Sequence, residues 1–215
     1  MAIYRIVEQV VRAEGQAGRT GVGFIRQGFG LHSCCCRILF RRTEGITMSD
    51  YRVGQGFDIH PLVPGRPLFL GGVKFEFPAG LSGHSDADVV LHSLTDALLG
   101  ASGCKDIGHH FPDTDQRWRN ASSKLFVQEA MKLVKRAGFC AGNADITVFA
   151  SNPPIAPRAE EMRKSIATLL ECEASCVNVK AKTFQGIGEI GRGKAIAAQT
   201  VVLLHRKGVG MKGKK

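Results

Sequence analysis

Nowhere in this 215-residue chain does an apolar run approach the roughly 18 residues that a membrane-spanning helix requires, so no membrane partner is expected. The middle of the chain also lacks net charge. The formal charge is +10 overall, but residues 1–47 supply +4 and residues 205–215 supply +5, which leaves 48–204 at +1. A body so nearly neutral does not offer the broad basic face that nucleic acid calls for, and no nucleic acid partner is expected. The basic ends read as solvated tails. A disulfide framework is missing too. Cys34, Cys35 and Cys36 are consecutive, and Cys104, Cys140, Cys172 and Cys176 are scattered. An odd count without a secretory signal indicates reduced thiols and a cytoplasmic location. Cys172 and Cys176 lack a second Cys/His pair nearby, which favours buried thiols over half of a metal site.

Residues 1–47 are Arg-rich and acid-poor, as transit peptides are, yet Ser33 is their only serine. The reading adopted is a disordered or mis-started extension over 1–47, a functional domain over 48–205 and a basic tail over 206–215. Organelle targeting is the alternative. A hydrophobic content of 44% with 22% charged residues fits one globular domain with a real core.

Along that domain, Tyr51–Ile59 and Pro67–Phe77 read as strands around the turn-rich P-L-V-P-G-R. Gly80–His84 reads as a loop. Ser85 or Asp86 is placed to cap a helix running to about Ala101, with Val90, Leu91, Leu94, Ala97 and Leu98 as its apolar stripe. Ser122–Ala137 is a second helix, and a third is expected over Pro157–Leu170 with Pro157 at its start. Ala144–Ala150, Val177–Thr183 and Ala195–Leu204 are further strands. Strands interleaved with helices predict an α+β or α/β sandwich.

Two short stretches carry the chemistry, G-F-D-I-H at 56–60 and H-S-D-A-D-V-V-L-H at 84–92. Asp58 and His60 are two apart and share one face of a strand. Asp88 and His92 are four apart and share one face of a helix. A carboxylate and two imidazoles converging from a strand and a helix suit a tetrahedral zinc with one position open, the arrangement of a catalytic site. His84 and Ser85 precede the helix, whose N-terminal amides form an anion site.

R-V-G-Q-G-F-D-I-H, L-F-L-G-G-V, L-S-G-H-S-D-A-D-V-V-L-H-S-L-T-D-A-L-L-G-A, D-I-G-H-H-F-P-D-T-D and V-N-V-K-A-K-T…G-R-G occur in one order between about Tyr51 and Leu204. Together they resemble the 2-C-methyl-D-erythritol 2,4-cyclodiphosphate synthases. The resemblance implies an α+β fold, a single sheet with helices packed on one face, assembled as a homotrimer with active sites between subunits. It implies a nucleotide-diphosphate substrate, 4-diphosphocytidyl-2-C-methyl-D-erythritol 2-phosphate. This closes to the cyclic diphosphate with release of CMP, in the non-mevalonate route to isoprenoids. Asp58, His60 and His92 would hold Zn²⁺ or another divalent cation, with Asp58 and His60 also counted among the substrate contacts. His84 and Thr183 would stabilise the transition state, and Ser85 would contact phosphate. Asp106, Ile107, Gly108, Phe111, Asp113 and Asp115 would hold the methylerythritol part. Lys182 and Arg192 complete the substrate contacts, and Asp86 and Asp88 would cap the helix or support the zinc histidines.

The departures fall toward the C-terminus. K-A-K-T-F-Q stands where K-A-T-T-T-E is usual, so Gln185 replaces a carboxylate that helps hold Mg²⁺ or Mn²⁺ on the diphosphate. That second ion is then held more weakly. Pro154 replaces a lysine of the nucleotide pocket, and Lys182 replaces a threonine and restores that charge. Glu189 stands where a phenylalanine usually lines an apolar cavity on the trimer axis. These departures keep a non-catalytic phosphate-binding trimer open as a reading. A non-haem iron oxygenase is disfavoured by the Asp-x-His order.

Overall fold

The computed structural model describes residues 50–208. The extension expected over 1–47 lies outside the described residues, as does most of the tail expected over 206–215. Fourteen residues, Tyr51–Pro64, form strand β1. A hairpin follows, β2 over Leu68–Leu70 and β3 over Val73–Phe75. Then come β4 over Ala79–Leu81, helix α1 over Val89–Ser102 and the short helix α2 over Ile107–His110. Helix α3 spans Lys124–Arg136, β5 Phe139–Phe149, α4 Ala159–Leu170 and β6 Val177–Lys182. The turn α5 over Gly188–Gly191 leads into β7 over Ala195–Arg206.

Five strands make one mixed sheet in the order β4-β1-β7-β5-β6, with β5 and β6 parallel and the other pairs antiparallel. The helices cover one face, as an α+β fold with a single sheet requires. Helix α1 lies on β1 and β7 and packs against α3. It is apolar nearly all round, and Leu91, Leu94, Leu98 and Leu99 are fully buried. A helix buried between a sheet and another helix needs no polar stripe.

Several expectations are corrected. The strand expected over Pro67–Phe77 is a hairpin, broken where Gly71 and Gly72 take φ of 63° and 76°. Two consecutive positive φ values are what a two-residue type I′ turn needs, so the Gly-Gly pair was a turn signal. The loop expected over Gly80–His84 begins as strand β4, which pairs Leu81 with Leu62 at the sheet edge. Asp88, not Ser85 or Asp86, caps α1, accepting from the amides of Val90 and Leu91 at 3.1 Å each. Strand β5 starts at Phe139 rather than Ala144, with a register shift between Ala141 and Asn143 that hides its alternation. Pro157 lies in a 3₁₀ turn, Ala156–Arg158, that precedes α4.

The contact that places α1 is steric. A Cβ on Gly54 would stand 2.0 Å from the Ala97 carbonyl oxygen, and one on Gly56 would stand 2.1 Å from that of Ser93. Both obstacles are helix backbone, which cannot swing aside. The bare α-carbons of β1 therefore let α1 settle directly on the strand. Gly56→Ala is expected to force the helix off the strand, at about 1–3 kcal/mol for overpacking. A lower midpoint in urea unfolding, with an unchanged slope, checks it.

Candidate metal centre and active-site cavity

Strand alternation sends Gly54, Gly56, Asp58 and His60 to the helix side of β1. The glycines bring α1 close, and the next two residues on that face meet the side chain of His92. Asp58 Oδ2 lies 3.0 Å from His60 Nε2 and 3.0 Å from His92 Nδ1, and the two ring nitrogens are 3.1 Å apart. Around a tetrahedral zinc with bonds of about 2.0 Å, neighbouring ligand atoms are roughly 3.3 Å apart. The triangle fits such an ion with little adjustment. These three form the one group of metal donors found among the described residues. Cys172 and Cys176 have no third donor with them among the described residues, and burial, with Cys176 beside it, pushes the Cys172 thiol up to about 11.

The electrostatics agree with the geometry. Burial works against ionisation of Asp58, but the hydrogen bonds and charges of His60 and His92 outweigh it and hold its carboxyl well below the ordinary range. Burial likewise disfavours the charged His60, yet the Asp58 hydrogen bond and charge and the Ser82 carbonyl raise its pKa.

The triad opens on a cavity of about 460 Å³. His84 and Ser85 line it from the segment between β4 and α1, where Arg66 donates to the carbonyls of Gly83 and Ser85 at 3.1 and 2.8 Å. Opposite, Asp106, Ile107, Gly108, Phe111 and Asp113 line it from α2 and the turn beyond. His84 Nε2 is buried without a hydrogen-bond partner among the described residues. A buried polar atom of that kind at a cavity wall points to a ligand that would satisfy it.

Other expected residues lie elsewhere. Asp115 is turned to its own loop, accepting from the amide of Arg117 at 3.0 Å and from its guanidinium at 2.6 Å, so the plain Asp-turn reading describes its contacts. Lys182 ends β6, and Thr183 follows it, exposed. Arg192 closes α5 and pairs with Glu189 at 3.0 Å, while Lys194 approaches the same carboxylate at 3.6 Å. Two of the amides expected to bind an anion at the start of α1, those of Val90 and Leu91, are engaged by Asp88 instead.

Sequence reasoning missed several neighbours. Phe126 and Trp118 line the cavity, Phe126 stacking on Phe111 at 4.5 Å between centroids and Trp118 standing edge-on to Phe111 at 5.1 Å. Asp96 also lines it and accepts the Ile107 amide at 3.1 Å, tying α2 to α1. Burial raises the Asp96 carboxyl; the Ile107 amide pulls it back, and the charges of Asp106 and Asp58 add to the rise. Its spacing of four from His92 was the available signal. Ser123 falls inside the helix expected over Ser122–Ala137 with no role given to it, yet its hydroxyl is 2.9 Å from His92 Nε2.

The YgbB family model matches residues 51–205. A 2-C-methyl-D-erythritol 2,4-cyclodiphosphate synthase of Shouchella clausii is 55% identical over 155 residues, covering 72% of this chain and 98% of that protein. One of Geobacillus kaustophilus is 54% identical, with 73% and 99% covered. Among solved structures, the bifunctional IspDF from Campylobacter jejuni aligns with a TM-score of 0.70 at 41% identity, over 73% of this chain and 42% of that one. A Plasmodium falciparum IspF–CDP complex aligns with a TM-score of 0.66 at 36% identity, over 75% of this chain and 99% of that one.

The raised His60 sets a pH dependence with a definite sign. Its contribution to the stability of metal-free protein is fully present below the unfolded value of about 6.5 and is lost as pH rises through the higher folded value. Depressed Asp58 acts in the other direction, but only in strong acid. A bound cation needs His60 without its proton, so metal binding strengthens across the same window. Thermal melts of chelator-stripped and zinc-loaded protein between pH 6 and 9 are expected to diverge as pH rises. Parallel curves would show that His60 does not exchange its proton for metal.

Proposed function

This chain belongs to the YgbB family, and we propose that it converts 4-diphosphocytidyl-2-C-methyl-D-erythritol 2-phosphate to 2-C-methyl-D-erythritol 2,4-cyclodiphosphate with release of CMP. One observation carries this reading: a three-donor metal cluster opens onto a cavity that His84, Ser85, Asp106 and Asp113 also line, in a chain 55% identical to such a synthase over nearly that protein's whole length. The 2-phosphate oxygen forms a bond to the β-phosphorus. The bond from that phosphorus to the bridging oxygen breaks, and CMP carries the electron pair away. Phosphoryl transfer of this kind depends on positioning and charge neutralisation.

Asp58, His60 and His92 would hold a divalent ion, and zinc suits them because two imidazoles and a carboxylate at tetrahedral spacing are its usual catalytic donors. When bound, it supplies the positive charge that polarises and orients a phosphate oxygen. His84 and Ser85 face the same phosphates, with the unpartnered Nε2 of His84 available to one of them. Asp106 and Asp113 accept hydrogen bonds from the hydroxyls of the methylerythritol. The aromatic wall of Phe111, Trp118 and Phe126 restricts water beside the triad.

Lys182, Thr183 and Gln185 belong to the other edge of the sheet. Asp58, Ala198, Val148 and Ala181 form one row across β1, β7, β5 and β6. Three strand spacings separate the row's ends by roughly 14 Å. A homotrimer resolves this, one copy offering its β6 edge to the cavity of the next, with Thr183 and Lys182 on the nucleotide diphosphate. The exposed Val53, Phe57, Ile59 and Val201, at 68%, 52%, 47% and 41%, support that assembly as an apolar stripe awaiting cover. Gln185 would then present an amide oxygen to the Mg²⁺ or Mn²⁺ on the diphosphate.

Incubation with the cytidine diphosphate substrate tests the reading, with CMP and the cyclic diphosphate expected in equal amounts. Binding without turnover would leave the non-catalytic phosphate-binding trimer. Gln185→Glu is expected to lower the Mg²⁺ or Mn²⁺ concentration for half-maximal rate severalfold, since a carboxylate attracts the ion more than an amide does. A metal titration that does not distinguish the two forms would remove residue 185 from the second ion.

A further inference from the structure

Asp86 and Ser123 lie behind His92, on the side away from the cavity-facing triad. Ser123 is fully buried at the start of α3. Its amide donates to both oxygens of Asp86 at 3.1 Å, and its hydroxyl makes a short hydrogen bond to Asp86 Oδ1. The same Oγ lies 2.9 Å from His92 Nε2. Ser85 Oγ is 3.1 Å from that nitrogen and 3.3 Å from Ser123 Oγ, and it already accepts the Ala87 amide at 3.1 Å.

Donor counting leaves one consistent arrangement. A carboxylate only accepts, so the single hydroxyl proton of Ser123 goes to Asp86. The Ser123 oxygen is then an acceptor toward His92, and Nε2 must carry the proton. Ser85 donates its own proton to Ser123, whose second lone pair is free for it. With Nε2 protonated, the neutral ring has its lone pair on Nδ1, the atom 3.0 Å from Asp58 Oδ2. In the metal-free protein a second proton on Nδ1 meets that carboxylate, as the depressed Asp58 requires, and a bound divalent cation would take that proton's place.

We propose that Asp86 and Ser123 are positioning residues that fix His92 as its Nε2–H tautomer and aim Nδ1 at the metal. The proposal rests on the metal reading of Asp58, His60 and His92, and the chain Asp86–Ser123–His92 would serve whichever divalent ion is bound. Partners of this kind orient metal-bound imidazoles and raise their basicity, and their loss typically weakens metal binding 10–100-fold.

The experiment uses the full chain and two readouts. Zinc affinity is measured by competition with a chromophoric chelator, and the His92 tautomer by ¹⁵N chemical shifts in metal-free protein above the imidazole titration range. Ser123→Ala is expected to weaken zinc at least tenfold and to lower the Nε2–H population. It keeps the backbone amide that holds Asp86, so circular dichroism should remain native. Asp86→Asn is the second variant: its amide can donate to Ser123 and release the serine proton toward His92, which weakens zinc and mixes the tautomers. A merely structural serine would lower the melting temperature without moving the tautomer. Unchanged affinity and tautomer in both variants would overturn the proposal. His92→Ala separates the two levels: if it binds zinc like wild type, the metal reading fails, while the tautomer signal still judges the hydrogen-bond chain.

Discussion

Everything at the site depends on how closely one helix approaches one strand. Helix α1 rests on β1 at Gly54 and Gly56, where any side chain would collide with helix carbonyls at about 2 Å. One step further along the same face of β1, the glycines give way to Asp58 and His60. Proximity that two glycines permit becomes ligand spacing at the next two alternate positions. The triad is thus a product of packing, and the packing comes from the absence of two methyl groups. Close-packed interiors transmit such constraints because they have no slack to absorb them.

Asp88 holds the other end of this arrangement. Its carboxylate is fully buried and accepts four backbone amides: Gly71 at 2.9 Å, Gly72 at 2.6 Å, and Val90 and Leu91 at 3.1 Å each. The first two belong to the β2–β3 turn and the others to the first turn of α1. One carboxylate therefore fixes the rotation of the helix about its axis against a hairpin turn, and His92 sits one turn further on. Burial raises the Asp88 pKa, against the pull of the Gly72 amide. Removing one partner of such a buried charge leaves it unsatisfied, which is the costly case. Asp86, two residues earlier, accepts the Asp88 amide at 3.2 Å and bonds to Ser123, which in turn meets His92.

Much of this was readable before any coordinates, and the parts that were not share a cause. The α+β class, the long first strand, α1 and the Asp-x-His…His set all follow from period and spacing, signals carried within one element. The role of Gly54 and Gly56 was hidden because a glycine's partner is a surface brought in by another element. Ser123 and Phe126 were hidden for the same reason: each meets His92 across more than thirty residues of sequence. The spacing places the cap on Ser85 or Asp86, with capping or support of the histidines left open for both Asp86 and Asp88, because both acceptors stand near the helix start and only the hairpin amides decide between them. Gly71-Gly72 was a local signal misread, since an apolar run on both sides looked like one continuous strand.

The departures from the family pattern gather on the edge where the fold constrains least. Lys182, Gln185 and Glu189 are exposed, on or beside β6 and α5, and Pro154 lies in the turn after β5. The triad and its cavity, by contrast, are set by backbone contacts that few side chains can replace. Relative to the usual residues, Lys182 and Gln185 each shift the local charge by one positive unit, and Pro154 and Glu189 each shift it by one negative unit. The sum is unchanged, so the field at this edge is redistributed rather than weakened. Glu189 is further neutralised by Arg192 and Lys194, its ion-pair neighbours. Exposed pairs are individually weak, but these two keep the new carboxylate directed to its own turn. A phosphate approaching this edge then meets Lys182 with less opposing charge than the bare substitution implies. The charge of the edge therefore remains compatible with an anionic ligand, and any divalent ion brought there with one would find the Gln185 amide in place of a protein carboxylate.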